Sequence, residues 1–204
     1  MKAYKVNKVI GEFSDDSWQH ANILDDFSYP WQDDLAPPMT FRALHDRNNF
    51  YFKYEVVDPN KFTYVEKNDK MEVVNSERVE IFFQVDEKLE TYYCLELDPN
   101  ERVLDYKASF YRQMQFDWQW PDSALKVKTT CSKSGYELTG QINIQSLRQL
   151  GILKGDRIKA GLFRGECTGL EGSQADLKWI SWVDPLTKEP DFHVPSAFGE
   201  LQFN

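Results

Sequence analysis

Ser76–Asp86 reads SERVEIFFQVD. If the segment is extended, Val79, Ile81, Phe83 and Val85 point one way, and Arg78, Glu80, Phe82 and Gln84 the other. A period of two over branched and aromatic residues is the pattern of a half-buried strand. One face belongs to a core. The other carries Glu80 between Arg78 and Gln84, on a rigid element where a carboxylate can meet a ligand or pair with a cross-strand neighbour.

The flanking sequence repeats this grammar. Thr40–Asp46 (TFRALHD) and Phe50–Val57 (FYFKYEVV) are two strands around Arg47-Asn48-Asn49, a hairpin signal. Phe50, Phe52, Tyr54 and Val56 make one apolar face. Tyr92–Asp98 and Arg102–Tyr111 pair around Pro99-Asn100-Glu101, and Leu125–Cys131 pairs with Tyr136–Ile144 around Ser132–Gly135. Asp156–Glu166, Leu177–Trp182 and the PSAFGELQF segment add late strands, and Lys5–Phe13 an early edge strand. Helical signals are few. Ser14 or Asp15 can cap a short turn with Trp18, Ala21 and Ile23 inward, and Ser146–Leu150 reads as one turn stopped by Gly151. Lys61–Asn75 is highly charged and reads as a surface excursion, and Tyr29–Met39 as a proline-rich ordered loop. About ten short strands with regular turn signals predict a two-sheet antiparallel β-sandwich of jelly-roll type. No repeat, low-complexity tract or linker divides residues 1–204, which read as one domain.

With 41% hydrophobic and 15% aromatic residues, a sizeable core needs no staples. The net charge of −9 and the absence of a Lys/Arg run argue against nucleic acid and anionic membrane as partners. Cys94, Cys131 and Cys167 are isolated and odd in number, which excludes a full disulfide framework and a CxxC metal knuckle. The first residues lack the apolar run of a signal peptide, and no stretch approaches a membrane span. The expectation is a soluble, cytoplasmic protein, unless an export signal has been trimmed.

His20, His45 and His193 are far apart, with no HxH or HExxH spacing and no G-x-S-x-G elbow. Gly165, Gly169 and Gly172 precede no helix and cannot form a phosphate loop. Two other constellations stand out. Glu80 and Glu96 fall on strands close in sequence, and an adjacent acid pair is what a glycosidase needs. Trp118 and Trp120 lie two apart beside Phe116, and Trp31 and Phe192 sit in proline-bearing loops. Exposed flat rings can hold the C–H face of a neutral sugar, although large aromatics also plug sandwich ends, the reading favoured for Trp18, Trp179 and Trp182. The doublets Asp15–Asp16, Asp25–Asp26 and Asp33–Asp34 can chelate calcium or simply be solvated.

In order and spacing, DDSWQHA, TFRALHDRNNFYFKYEVVD, RVEIFF, YYCLELDPN, YELTGQINI, GDRIKAGLFR, ISWVDP and PSAFGELQF resemble the family 9 carbohydrate-binding modules and their DOMON-like relatives. The resemblance covers nearly the whole chain. It implies a jelly-roll sandwich, non-catalytic binding of plant-polysaccharide sugars such as xylan or cellulose, commonly with structural calcium and no required cofactor. Family members stack sugar between two rings, one shortly before the V-E-I-F strand and one just before P-S-x-F-G, and the Glu of V-E-I-F bonds the sugar. Glu80 matches that Glu, and Phe192 stands at the second ring. The first ring position falls near Val74, which cannot stack, and the family's basic residue on the next strand corresponds to Glu96. The expected ligand-binding set is therefore Glu80, Glu96, Arg164 and Phe192, with Trp118 or Trp120 as the replacement platform. Arg164 enters because a late-strand guanidinium can bridge hydroxyls. A glycoside hydrolase built on Glu80 and Glu96, and a module with some other ligand or a structural role, are the alternatives.

Overall fold

The computed structural model describes residues 2–204. Among the described residues there are twelve strands: β1 (Ala3–Lys8), β2 (Met39–His45), β3 (Asn49–Val57), β4 (Arg78–Gln84), β5 (Tyr92–Leu97), β6 (Val103–Ser109), β7 (Gln113–Gln115), β8 (Leu125–Cys131), β9 (Gly135–Asn143), β10 (Arg157–Glu171), β11 (Gln174–Ser181) and β12 (Gly199–Phe203). One short α-helix, α1 (Ile144–Gln149), follows β9, and 3-10 turns cover Asp15–His20, Lys70–Asn75 and Pro195–Ala197.

The strand order is β7-β6-β5-β4-β10-β12-β1-β2-β3-β9-β8, with β11 added to β10. Strand β1 joins the layers. Its residues Ala3–Val6 run parallel to β12, and Asn7 and Lys8 run parallel to β2. All other strand pairs are antiparallel. The sandwich is thus one curled, mixed sheet folded into two layers, where the sequence reading expected purely antiparallel ones.

The predicted faces meet. Val79, Ile81 and Phe83 of β4 share the interlayer core with Phe50, Phe52, Tyr54 and Val56 of β3. The Tyr54 hydroxyl crosses this core and donates to the Glu80 carbonyl at 2.9 Å, so even the polar tip of a fully buried ring has its partner.

The opposite face of β4 is also covered, which alternation alone does not reveal. Phe82, Cys94, Tyr106 and Phe163 pack beneath Val73, Phe192 and Phe198 in a second apolar cluster. Two segments supply that cover. One is the 185–198 loop. The other is the charged Lys61–Asn75 stretch, which is anchored rather than loose. Buried Arg102 holds Glu72 at 2.8 Å and Asp98 at 2.6 Å, while Glu72 accepts from the backbone N–H groups of Glu66 and Lys67. In the first 3-10 turn Trp18 and Ala21 are buried as expected, whereas Ile23 is 56% exposed. Gly151 does close α1, with φ of +73°. No helix among the described residues is long and apolar enough to cross a membrane.

Candidate functional site

Register builds the site. On the outer face, Glu80 of β4 lies opposite Glu96 of β5 and opposite Phe163 of β10. One row along, Arg78 faces Gly165 of β10, and Gly165 in turn faces Trp179 of β11. Gly165 is needed there. A Cβ at this position would stand 2.9 Å from Arg78 Nη1 and 3.0 Å from Cζ, so the bare backbone makes room for the guanidinium. The Arg78 guanidinium also sits 5.2 Å from the centre of the Trp179 ring, within cation–π range.

Arg78, Glu80, Glu96 and Trp179 line a cleft of about 400 Å³, with Tyr106 and Phe192 completing its core. That size is in the range of small-molecule sites. Its walls come from opposite ends of the layer. Leu177 and Trp179 stand on the β11 side, and Met114 and Phe116 on the β7 side.

The polar floor is a tight cluster. Arg78 Nε donates to Glu80 Oε1 at 2.9 Å and lies 2.7 Å from Glu96 Oε2, while Nη1 donates to the Val74 and Ser76 carbonyls. The Tyr106 hydroxyl donates to Glu96 Oε1 at 2.8 Å. Glu96 Oε2 is buried and makes no hydrogen bond with the protein, and its partner is the Arg78 charge at 2.7 Å. Burial and then the Glu96 charge push the Glu80 carboxyl up to about 8, against the opposing pull of Arg78. His193, at the cleft wall, is driven down to about 4, by burial first and by Arg112 second. Its Nδ1 and the Tyr92 hydroxyl share a 3.0 Å hydrogen bond.

Three expected site residues meet here: Glu80, Glu96 and Phe192. Phe192 is only 6% exposed and stacks on Phe163 at 4.0 Å and 9°, so one of its faces is already taken. The half-buried Trp179, whose edge meets Phe192, is the larger open ring.

The other three expected residues lie elsewhere. Arg164 pairs with Val79, one residue out of step with Glu80, and parity turns it into the interlayer core. It is fully buried and bonded to Glu77 at 2.6 Å and Asp58 at 2.7 Å, so it cannot reach a ligand in the cleft. Trp120 is buried against Phe83 and Tyr93 in the same core, and Trp118 packs on Tyr93 and Trp120. Neither tryptophan lines the cleft. Sequence reasoning passed over Arg78 and Trp179. Arg78 was visible by parity with Glu80, whereas Trp179 required knowing that β11 pairs with β10 through Gly165.

Among the described residues no group of three or more His, Cys, Asp or Glu side chains converges. Two pairs of buried acids, Asp58 with Glu77 and Glu72 with Asp98, are each bridged by a guanidinium that supplies the positive charge itself.

Among solved structures, a candidate carbohydrate-binding protein from Bacteroides uniformis superposes with a TM-score of 0.77 at 19% identity, over 100% of this chain and 99% of that one. A family 9 carbohydrate-binding module from Caldicellulosiruptor kristjanssonii in complex with glucose gives 0.60 at 16%, covering 100% of this chain and 96% of the other. The same organism's module in complex with cellotriose gives 0.61 at 16%, covering 99% and 93%. At these identities the likeness is one of fold. No curated protein sequence matches the chain. The model of the carbohydrate family 9 binding domain-like family matches residues 9–204, nearly the full length, and the chain belongs to that family.

Proposed function

We propose that the outer-face cleft binds a neutral saccharide of the plant oligo- or polysaccharide class, without cleaving it. One observation carries this reading: the buried Arg78–Glu80–Glu96 cluster and the half-buried Trp179 ring line one cleft. A buried polar floor favours a ligand whose hydroxyls complete its hydrogen bonding, and an indole face lining the same cleft suits the C–H side of a pyranose. Charge supports a neutral ligand. Near pH 7, with Glu80 holding its proton, Arg78 and Arg112 balance Glu96 and Asp191 across the cleft. A protonated Glu80 also offers a hydrogen to a sugar oxygen.

The same geometry supports holding over hydrolysis. A glycosidase places its two acids on either side of the scissile bond, with room for sugar or water between them. Here Arg78 Nε stands between Glu80 and Glu96, in contact with both. Xylan- and cellulose-type chains are the proposed ligands, with affinity roughly micromolar to millimolar for so open a site. Calorimetric titration of the intact chain with xylo- and cello-oligosaccharides is the test. Binding that drops at least tenfold in Glu96→Ala and Trp179→Ala is expected. Binding unaffected by both substitutions, or turnover of a nitrophenyl glycoside that Glu80→Gln abolishes, overturns the reading.

A further inference from the structure

Beyond the cleft floor, the hairpin joining β6 and β7 presents two aromatic rings to solvent. Phe110 is 49% exposed and Tyr111 53% exposed, in a chain whose other large rings are mostly covered. Singly exposed apolar residues are ordinary on a protein surface, so what matters is whether these rings are held in place. Here the fixing contacts are explicit. The Phe110 amide donates to the Leu89 carbonyl at 2.8 Å, tying the tip to the β4–β5 turn. The Tyr111 hydroxyl donates to Asp191 Oδ2 at 2.7 Å, and Arg112 Nη1 to Asp191 Oδ1 at 3.2 Å. Asp191 Oδ1 also accepts from the His193 amide at 2.9 Å.

Asp191, Arg112 and His193 all line the cleft, so Tyr111 is held at its mouth by groups that belong to its wall. The ring is oriented by its hydroxyl while much of its surface stays open. Such a ring loses little entropy on capturing a second flat partner, unlike a free surface side chain. We infer that Tyr111 is a second stacking platform, and that the cleft takes an oligosaccharide whose first residue lies between Trp179 and Glu96 and whose next residue rests on Tyr111. This rests on the saccharide reading above and adds a chain-length preference to it.

The test compares chain lengths. The intact protein and its Tyr111→Ala and Tyr111→Phe variants are titrated with glucose and cellotriose, and with xylose and xylotriose. In the unmodified protein the trisaccharide of the bound pair is expected to bind about five- to tenfold tighter than its monosaccharide, the size of one aromatic contact. Tyr111→Ala brings that ratio close to one, and Tyr111→Phe, which keeps the ring but loses the hydroxyl bond to Asp191 that orients it, gives a ratio between the two. A monosaccharide that binds as tightly as its trisaccharide, or a ratio unchanged in Tyr111→Ala, overturns the second platform while the saccharide site stands. If the unmodified protein binds no member of either pair, the saccharide reading itself fails and the platform with it. Unfolding midpoints of the three proteins confirm that the substitution at an exposed ring leaves the fold intact.

Discussion

Replacing Glu80 by Gln should make the protein more stable at pH 8 and leave it nearly unchanged at pH 5. Glu80 is 1% exposed, and its carboxyl is raised from an ordinary 4.5 to about 8, by burial first and by the Glu96 charge second. Between those values the folded chain holds a proton that the unfolded chain has released. Folding stability therefore falls as pH rises through this window, at up to about 1.4 kcal/mol per pH unit. The fall ends once the folded carboxyl itself ionises. From pH 5 to pH 8 the ceiling is about 4 kcal/mol, and because two carboxylates this close titrate as a pair, roughly 2–4 kcal/mol is expected. Gln keeps an oxygen to accept from Arg78 Nε and carries no proton to lose, so it removes the slope. Titrating groups outside the Glu80–Glu96 pair cancel in the comparison. Glu77, also raised by burial, and His193, lowered to about 4, are present in both proteins. The assay is urea unfolding followed by tryptophan fluorescence at pH 5, 6, 7 and 8 and constant ionic strength. The difference between the two proteins should grow steadily in favour of Gln. A variant less stable than its parent by a constant amount across that range would show Glu80 ionised throughout, and would refute the reasoning.

Gly165→Ala should push the Arg78 guanidinium off the two acids, since the new Cβ would lie 2.9 Å from Nη1. We expect a loss of about 1–3 kcal/mol in denaturation together with weaker sugar binding by calorimetry. Arg164→Met should cost about 3–5 kcal/mol, because it leaves the fully buried Glu77 without its cation. The loss should appear in the unfolding midpoint, and equal midpoints would contradict the buried ion cluster. Trp120→Ala should cost about 3–5 kcal/mol of stability through the core cavity it opens. Trp118→Ala should leave sugar affinity unaltered, and a drop in affinity there would return that ring to the site.

Much of the fold was legible because alternation is a local signal. The SERVEIFFQVD stretch, the FYFKYEVV face and the hairpin turns fix strand identity and inward faces without long-range knowledge. The parallel pairings of β1 were not legible, since β12 is distant in sequence and β1, read as an edge strand, in fact pairs on both sides, and a short strand carries no mark of direction. At the site the division is sharper. Glu80 and Glu96 are brought together by one hairpin, which sequence can anticipate. Arg164 was misplaced because register between β4 and β10 spans some eighty residues of chain, and a one-residue step moves a side chain to the opposite face. Trp118 and Trp120 drew attention by density alone, and density does not distinguish a platform from a plug.

The second cover over β4 explains why a cleft exists at all. An antiparallel layer normally leaves one face to water, where an acid such as Glu80 would be solvated and ordinary. Here the 185–198 loop and the Arg102-anchored turn close over most of that face and bury Glu80, Glu96 and Arg78 to within a few per cent. In the row of Arg78, Gly165 and Trp179 the guanidinium fills the space over Gly165, and only the Trp179 ring stays partly open. Polar groups become costly, and hence selective, where the cover is deep, and remain reachable where it ends. The cleft is therefore a boundary of packing, and the proposed saccharide would complete it with hydroxyls for the acid cluster and a flat apolar face for Trp179.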